Sequence, residues 1–278
     1  MRALEGLTLR VDEGEVFGFL GPNGAGKTTT VRLLLGLLRP SGGSATVLGR
    51  PADPAHPATR RDIGYLPGEL ALWPTFTGRE TLAFLERLTD TPAVDRVPLL
   101  ERLALTDAEL GRRVRTYSDG MKQKLGIVQA FQCRPRLVFL DEPTKGLDPL
   151  MQHAFYEMVA DAGTRGATVF FSSHILSEVE RVCDRVAMLR AGTLVSVGTV
   201  DDVRRAQRRR VRATFASALP AAALMRFGAP VARTGTTIEL LVAPSDLAAV
   251  IAELGGLPLA DIIIEPTSLE EAFLEHYR

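Results

Sequence analysis

The residues best suited to chemistry are GPNGAGKTT, residues 21–29. They fit the spacing G-x-x-x-x-G-K-[ST], with Gly21 and Gly26 at the fixed ends and Lys27 and Thr28 after them. Gly21, Gly24 and Gly26 let the backbone take positive φ and turn successive N–H groups inward, forming a concave donor surface that matches phosphate oxygens. Pro22, Asn23 and Ala25 complete the turn, and Thr29 follows it. Lys27 brings a point charge for β and γ phosphates, and the Thr28 hydroxyl is a ligand for Mg²⁺. A second constellation closes the apolar stretch Leu137-Val138-Phe139-Leu140, namely the carboxylates Asp141 and Glu142. Open α/β sheets bind ligands at the carboxyl ends of their strands, which places Asp141 to hold Mg²⁺ beside the glycine-rich loop. Glu142 is placed to order or deprotonate an attacking water.

These groups need elements to hold them. Residues 16–20, VFGFL, read as a buried strand entering the loop, and residues 27–38 as a helix leaving it with its N-terminus toward the anion. Residues 7–11 alternate as a half-buried strand, and residues 45–48 and 63–66 read as two more. The pattern then changes. Thr77-Gly78-Arg79-Glu80 is a capping box opening a helix to Leu88, and helical patterning returns near residues 97–105 and 121–132. A helical block over about residues 77–134 thus interrupts an α/β pattern that resumes with strands at 137–140 and 168–171. Met151, Phe155, Met158 and Val159 mark one face of a helix ending at Gly163, and Ser173 is expected to begin another. Residues 186–189 and 193–197 form a hairpin around Ala191-Gly192. From residue 203 the composition shifts: Arg204, Arg205, Arg208, Arg209, Arg210 and Arg212 form a basic run. Strand and helix signals alternate beyond it at 211–215, 221–227, 237–242, 246–254, 261–264 and 268–276, a small α+β unit of ferredoxin-like kind.

Composition bounds the function. Lys and Arg number 33 and Asp and Glu 33, a balance that argues against a protein working chiefly by coating nucleic acid. No apolar run reaches the roughly 18–20 residues of a membrane span, and no leader pattern opens the chain, so a soluble, cytosolic product is expected. Cys133 and Cys183 are far apart, in segments that read as helical, with no C-x-x-C pattern, so neither a metal site nor a disulfide is expected.

Two further stretches complete a pattern: Tyr117-Ser118-Asp119-Gly120-Met121-Lys122-Gln123, and Ser172-Ser173-His174. The order GPNGAGKTT, SDGMKQ, FLDEPTKGLDP, SSH resembles the nucleotide-binding subunit of an ATP-binding cassette (ABC) transporter over about residues 4–200. The resemblance implies an α/β P-loop NTPase core of ABC type over residues 1–202, with an inserted helical subdomain, and a small C-terminal α+β appendix over 203–278. It implies an ATPase using ATP and Mg²⁺, in which residues 21–29 wrap the triphosphate, Thr28 and Asp141 hold the metal, and Glu142 is the base. Ser118 and Gly120 match the signature that binds the γ-phosphate of the ATP held by the other protomer, and Asp148 the loop that crosses the dimer interface. His174 matches the residue that hydrogen-bonds the γ-phosphate. The partners so implied are a second copy, in an ATP-sandwich homodimer, and a separately encoded integral membrane permease, with the subunit peripheral on the inner face of the cell membrane and no nucleic acid expected. The stretch Glu265-Pro266-Thr267-Ser268-Leu269-Glu270-Glu271-Ala272-Phe273 resembles the tail of subunits in the drug- and polysaccharide-exporting class, which implies export.

Three positions depart from that family. Gly68 stands where Gln is usual, so that either Glu69 substitutes as an oxygen ligand or coupling runs through backbone and water. Asp119 stands where Gly is usual, and an acid beside a phosphate is expected to point away from it. The strand with an adenine-stacking aromatic lies upstream of the segment matching residues 3–7, where this chain begins, and Phe17 and Phe19 are expected in the core instead. Trp73, beside Leu72 and Phe76, is either part of a permease docking groove or a lid on the core. The alternative function is an ABC ATPase acting on ribosomes or nucleic acid, for which the arginine run speaks and the neutral charge speaks against.

Overall fold

The computed structural model describes residues 2–53, 55, 60–202, 208–217, 227 and 230–267. The chain divides into two compact units, Met1–Gly198 and Thr199–Arg278.

The first unit is built on a six-stranded sheet. Strand β1 (Val16–Leu20) is buried at all five positions, and the glycine-rich loop leads from it into α1 (Lys27–Leu34). A short hairpin, β2 (Thr46–Val47) and β3 (Arg50–Pro51), precedes β4 (Ile63–Leu66). The helical block follows as α2 (Gly78–Thr89), α3 (Arg96–Arg102), α4 (Asp107–Leu110) and α5 (Asp119–Phe131). Then come β5 (Leu137–Asp141), α6 (Pro149–Thr164), β6 (Thr168–Ser173), α7 (Leu176–Val182), β7 (Arg185–Arg190) and β8 (Thr193–Thr199).

The sheet order is β4-β5-β6-β1-β7-β8, and β4 through β7 pair in parallel. Strands covered on both faces read as unbroken apolar runs, which is why VFGFL and LVFLD carry no alternation. Phe17, Phe19 and Phe139 pack around Phe170, with ring centroids 5.1 to 5.8 Å apart. The register matters for function: Leu20 lies opposite Ser173, and Asp141 opposite Ser172, so the carboxyl ends of β1, β5 and β6 are level. A Cβ at Gly64 would meet the Ala130 carbonyl oxygen at 2.0 Å, so α5 lies directly on β4 only because that residue is glycine. None of the helices among the described residues is long and apolar enough to cross a membrane.

The second unit contains β9 (Arg209–Phe215), β10 (Pro230–Thr234), β11 (Thr237–Val242), α8 (Leu247–Gly255) and β12 (Leu259–Pro266). The strands pair antiparallel in the order β10-β11-β9-β12. Numbered within the unit this is two-three-one-four, the arrangement of the split βαβ fold expected from sequence. Val211, Ala213, Phe215, Ile238, Leu240, Val250 and Leu254 form its core. Residues 204 and 205, 221–226 and 268–276, read above as basic run or helix, lie outside the described residues.

Several local expectations are corrected. Residues 7–11 form no strand: Leu7, Leu9 and Val11 are half-buried against the core, but their alternation reports a buried face and not ladder pairing. Helix α1 stops at Leu34 instead of reaching Leu38, with Gly36 at φ +62° turning the chain and Leu37 and Leu38 left exposed. Ser173 does not open a helix. It is the last residue of β6, its hydroxyl accepts the Ile175 N–H at 2.9 Å, and α7 begins only at Leu176. Cys133 and Cys183 sit just past helix ends instead of inside helices. Strand β10 was missed because PVART holds a proline and no apolar alternation. Of the arginine run, Arg209, Arg210 and Arg212 lie on β9, and Arg210 and Arg212 both pair with Glu239 of β11.

Candidate nucleotide-binding site

The loop between β1 and α1 is held open by its glycines. Gly24 and Gly26 have φ of +81° and +109°, in the left-handed region that side chains disfavour. A Cβ at Gly21 would meet the Leu189 carbonyl oxygen at 2.3 Å, so this turn is wedged against β7 as well as bent. Pro22, Asn23 and Gly24 form the exposed tip, Ala25 is buried beneath them, and Thr29 is half-buried in the first turn of α1. Lys27 Nζ donates to the carbonyls of Gly21 at 2.6 Å and Pro22 at 3.2 Å, so the ammonium is already folded into the loop. Burial lowers the Lys27 pKa, and the charges of Glu142 and Asp141 oppose that shift.

The Thr28 hydroxyl donates to Asp141 Oδ2 at 2.7 Å, joining residues 113 positions apart in the chain. The other oxygen, Oδ1, accepts the Ser172 hydroxyl at 2.9 Å, and Asp141 is 1% exposed. Two oxygen groups presented together at the mouth of a phosphate loop suit Mg²⁺, which takes few protein ligands and completes its shell with phosphate and water. A Cβ at Gly68 would lie 3.4 Å from Asp141 Oδ2, so the Gly68 backbone packs against the metal-ligand candidate, while Glu69 is exposed. Beside them, burial and the Asp141 charge raise the Tyr65 pKa, opposed by a hydrogen bond from Arg32.

Glu142 follows with φ +49°, a left-handed conformation that costs a non-glycine residue about 1–2 kcal/mol. Its N–H donates to the Ser172 carbonyl at 2.9 Å, which extends the β5–β6 ladder one residue past Asp141. There Glu142 Oε1 meets His174 Nδ1 at 3.0 Å. The structure therefore brings residues 21–29, Asp141, Glu142 and His174 together at one edge of the sheet.

Ser118 and Asp148 are both helix N-caps. Ser118 Oγ accepts the Met121 N–H at 3.2 Å at the head of α5, and Asp148 Oδ1 accepts the Met151 N–H at 3.0 Å at the head of α6. The two heads meet: a Cβ at Gly120 would lie 2.8 Å from the Gly146 carbonyl oxygen. The Asp119 carboxylate is 93% exposed and pairs with Lys122 at 3.0 Å. Trp73 stacks on Phe76 and meets Phe84 edge-on, and Trp73 and Phe84 remain partly exposed at the surface. Sequence reasoning gave no role to Ser172, which orients Asp141, or to Gln123, whose side-chain amide donates to the Pro143 carbonyl at 2.6 Å. Both lie inside quoted motifs, which was the available signal.

The ABC transporter family profile matches residues 4–145, and that of the EvrA-like ABC transporter C-terminal domain matches residues 207–265. An uncharacterised ABC transporter ATP-binding protein of Nostoc sp. is 45% identical, over 72% of this chain and 61% of its own. Nod factor export ATP-binding protein I of Rhizobium etli is 40% identical, over 71% of this chain and 63% of its own. The chain thus spans about three fifths of the length of these curated relatives. A solved structure described as the ATP-binding subunit of an ABC transporter superimposes with a TM-score of 0.68 at 36% identity, covering 73% of this chain and 86% of the other.

Proposed function

Because this chain belongs to the ABC transporter family, we propose that it is the ATP-hydrolysing subunit of a transporter, working as a homodimer beneath a separately encoded membrane permease and driving export. The observation that carries the reading is the 2.7 Å contact of Thr28 with Asp141 beside a glycine-rich loop, with Glu142 and His174 paired next to it. The name of the Rhizobium etli relative supports the export direction, as do the residues 265–273 quoted above.

In this reading the N–H groups of residues 21–29 and Lys27 Nζ hold the β and γ phosphates, the ammonium exchanging its loop carbonyls for phosphate oxygens. Thr28 and Asp141 would hold Mg²⁺, which would supply positive charge beside the phosphate oxygens. Glu142 takes a proton from the attacking water, whose oxygen bonds to the γ-phosphorus as the bond to the ADP oxygen breaks. His174 orients Glu142 in the resting site and turns to the γ-phosphate when it arrives. Ser118 and Gly120 of the partner's copy close over the same phosphate. Loss of the γ-phosphate then opens the dimer, the order–disorder logic of nucleotide switches. Trp73, Phe76 and Phe84 supply an aromatic surface for the permease.

Two measurements test this. The purified chain should hydrolyse ATP in the presence of Mg²⁺ and lose that turnover with chelator. Affinity capture from its native cells should recover an integral membrane protein. Recovery of ribosomes or RNA in its place would move the assignment to the non-transport branch of the family.

A further inference from the structure

Glu178 of α7 is 5% exposed, yet among the described residues no lysine or arginine forms an ion pair with it. Hydroxyls satisfy it instead. Glu178 Oε1 accepts the Thr144 hydroxyl in a short hydrogen bond, and Oε2 accepts the Ser173 hydroxyl at 2.6 Å. The Tyr156 hydroxyl of α6 faces the same carboxylate. Its pKa is pushed up to about 12, first by burial and then by the Glu178 charge.

Thr144 is two residues past Glu142, on the loop that ends at Asp148 and the head of α6, and Ser173 immediately precedes His174. That loop is also tied at Pro143 to Gln123 of α5, and it abuts Gly120 at Gly146. A single buried carboxylate therefore spans the loop that links Glu142 to Asp148 and the strand end that carries His174.

We infer that Glu178 is a positioning residue: by accepting the Thr144 and Ser173 hydroxyls together, it holds the 143–148 loop against the end of β6 and so sets the geometry between Glu142, Asp148 and His174. The inference rests on the proposed function for its catalytic consequence, but the restraint itself does not. Buried hydrogen bonds to a charged acceptor are strong and directional, and displacing a catalytic constellation by about 1 Å costs up to about a hundredfold in rate.

Glu178→Ala strands two or three buried hydroxyls and risks the fold. The discriminating variant is Thr144→Val, which keeps the shape and removes only the loop's tie. In the full-length chain it should lower kcat about tenfold while the Kd for a fluorescent ATP analogue stays within about twofold of wild type. Without nucleotide, amide exchange should rise across residues 145–148 and stay unchanged in α5. Glu178→Gln, whose amide can still accept one hydroxyl and donate to the other, should recover most of both properties. Unchanged kcat and exchange in Thr144→Val would overturn the inference, as would a loss of kcat that merely follows ATP affinity or melting temperature. Absence of turnover in the wild-type chain would sink the proposed function, and the exchange measurement would still decide whether Glu178 holds the loop.

Discussion

The imidazole Nδ1 of His174 lies 3.0 Å from Glu142 Oε1, joining the residues that follow two neighbouring strands, β5 and β6. Groups in contact do not act independently, and this pair sets the first expectation. Glu142→Gln should leave ATP binding intact and lower turnover by about 10²–10⁴-fold, the range for losing a positioned general base. Adding His174→Ala to that variant should cost less than the same change does in the wild type. Steady-state hydrolysis with separate ATP-binding titrations measures the coupling. Additive effects would show that the 3.0 Å contact has no role in turnover.

The second expectation concerns Gly120. A Cβ there meets a backbone atom, the Gly146 carbonyl oxygen, at 2.8 Å, and no rotamer relieves that clash. Gly120→Ala should destabilise the chain by about 1–3 kcal/mol and lower turnover by moving the heads of α5 and α6 apart. Gly198 has nothing within 4 Å of its virtual Cβ, so Gly198→Ala is the control and should melt close to wild type. Thermal unfolding of the two variants tests the contrast.

Asp119 gives a prediction of the opposite sign. Its carboxylate is exposed and engaged with Lys122, and exposed pairs of this kind contribute about 0–1 kcal/mol. Asp119→Gly should retain or raise ATP turnover by removing a negative charge near the head of α5, and a large loss in the same assay would contradict the geometry.

The pH dependence of Lys27 follows from burial. Its folded-state pKa is lowered from the ordinary 10.5, so between the folded and unfolded values the unfolded chain binds more protons. This group's contribution to stability therefore rises with pH as the pH approaches 10.5 from below, in nucleotide-free protein. Lys27→Met should remove that component of the alkaline slope and cost ATP affinity at least about tenfold, the loss expected for a charged phosphate ligand. Denaturant titrations across the alkaline range, with an ATP-binding assay, check both.

Much of the site was legible because its chemistry is contiguous. GPNGAGKTT carries its loop, cation and hydroxyl within nine residues, and buried parallel strands announce themselves as VFGFL and LVFLD. What escaped was written in pairs of distant residues. Glu178 looks like one acid on an amphipathic helix until Thr144, 34 positions away, and Ser173 close on it. Residues 7–11 show the converse error: their period of two was real, and it described which side chains are half-buried and not which backbone groups are paired. The basic run likewise hides its partner, because Glu239, which pairs with Arg210 and Arg212, lies on another strand.

Helix α5 has one more meaning. Strands β4 and β5 run side by side in the same direction, and such neighbours can be joined only by a crossover segment that returns the chain to its starting end. Lying on β4, α5 is the last leg of that return, and its opposite tip bears Ser118 and Gly120. In the proposed dimer, the tip that would close over the partner's nucleotide thus belongs to the same piece of chain that the parallel pairing of β4 and β5 demands.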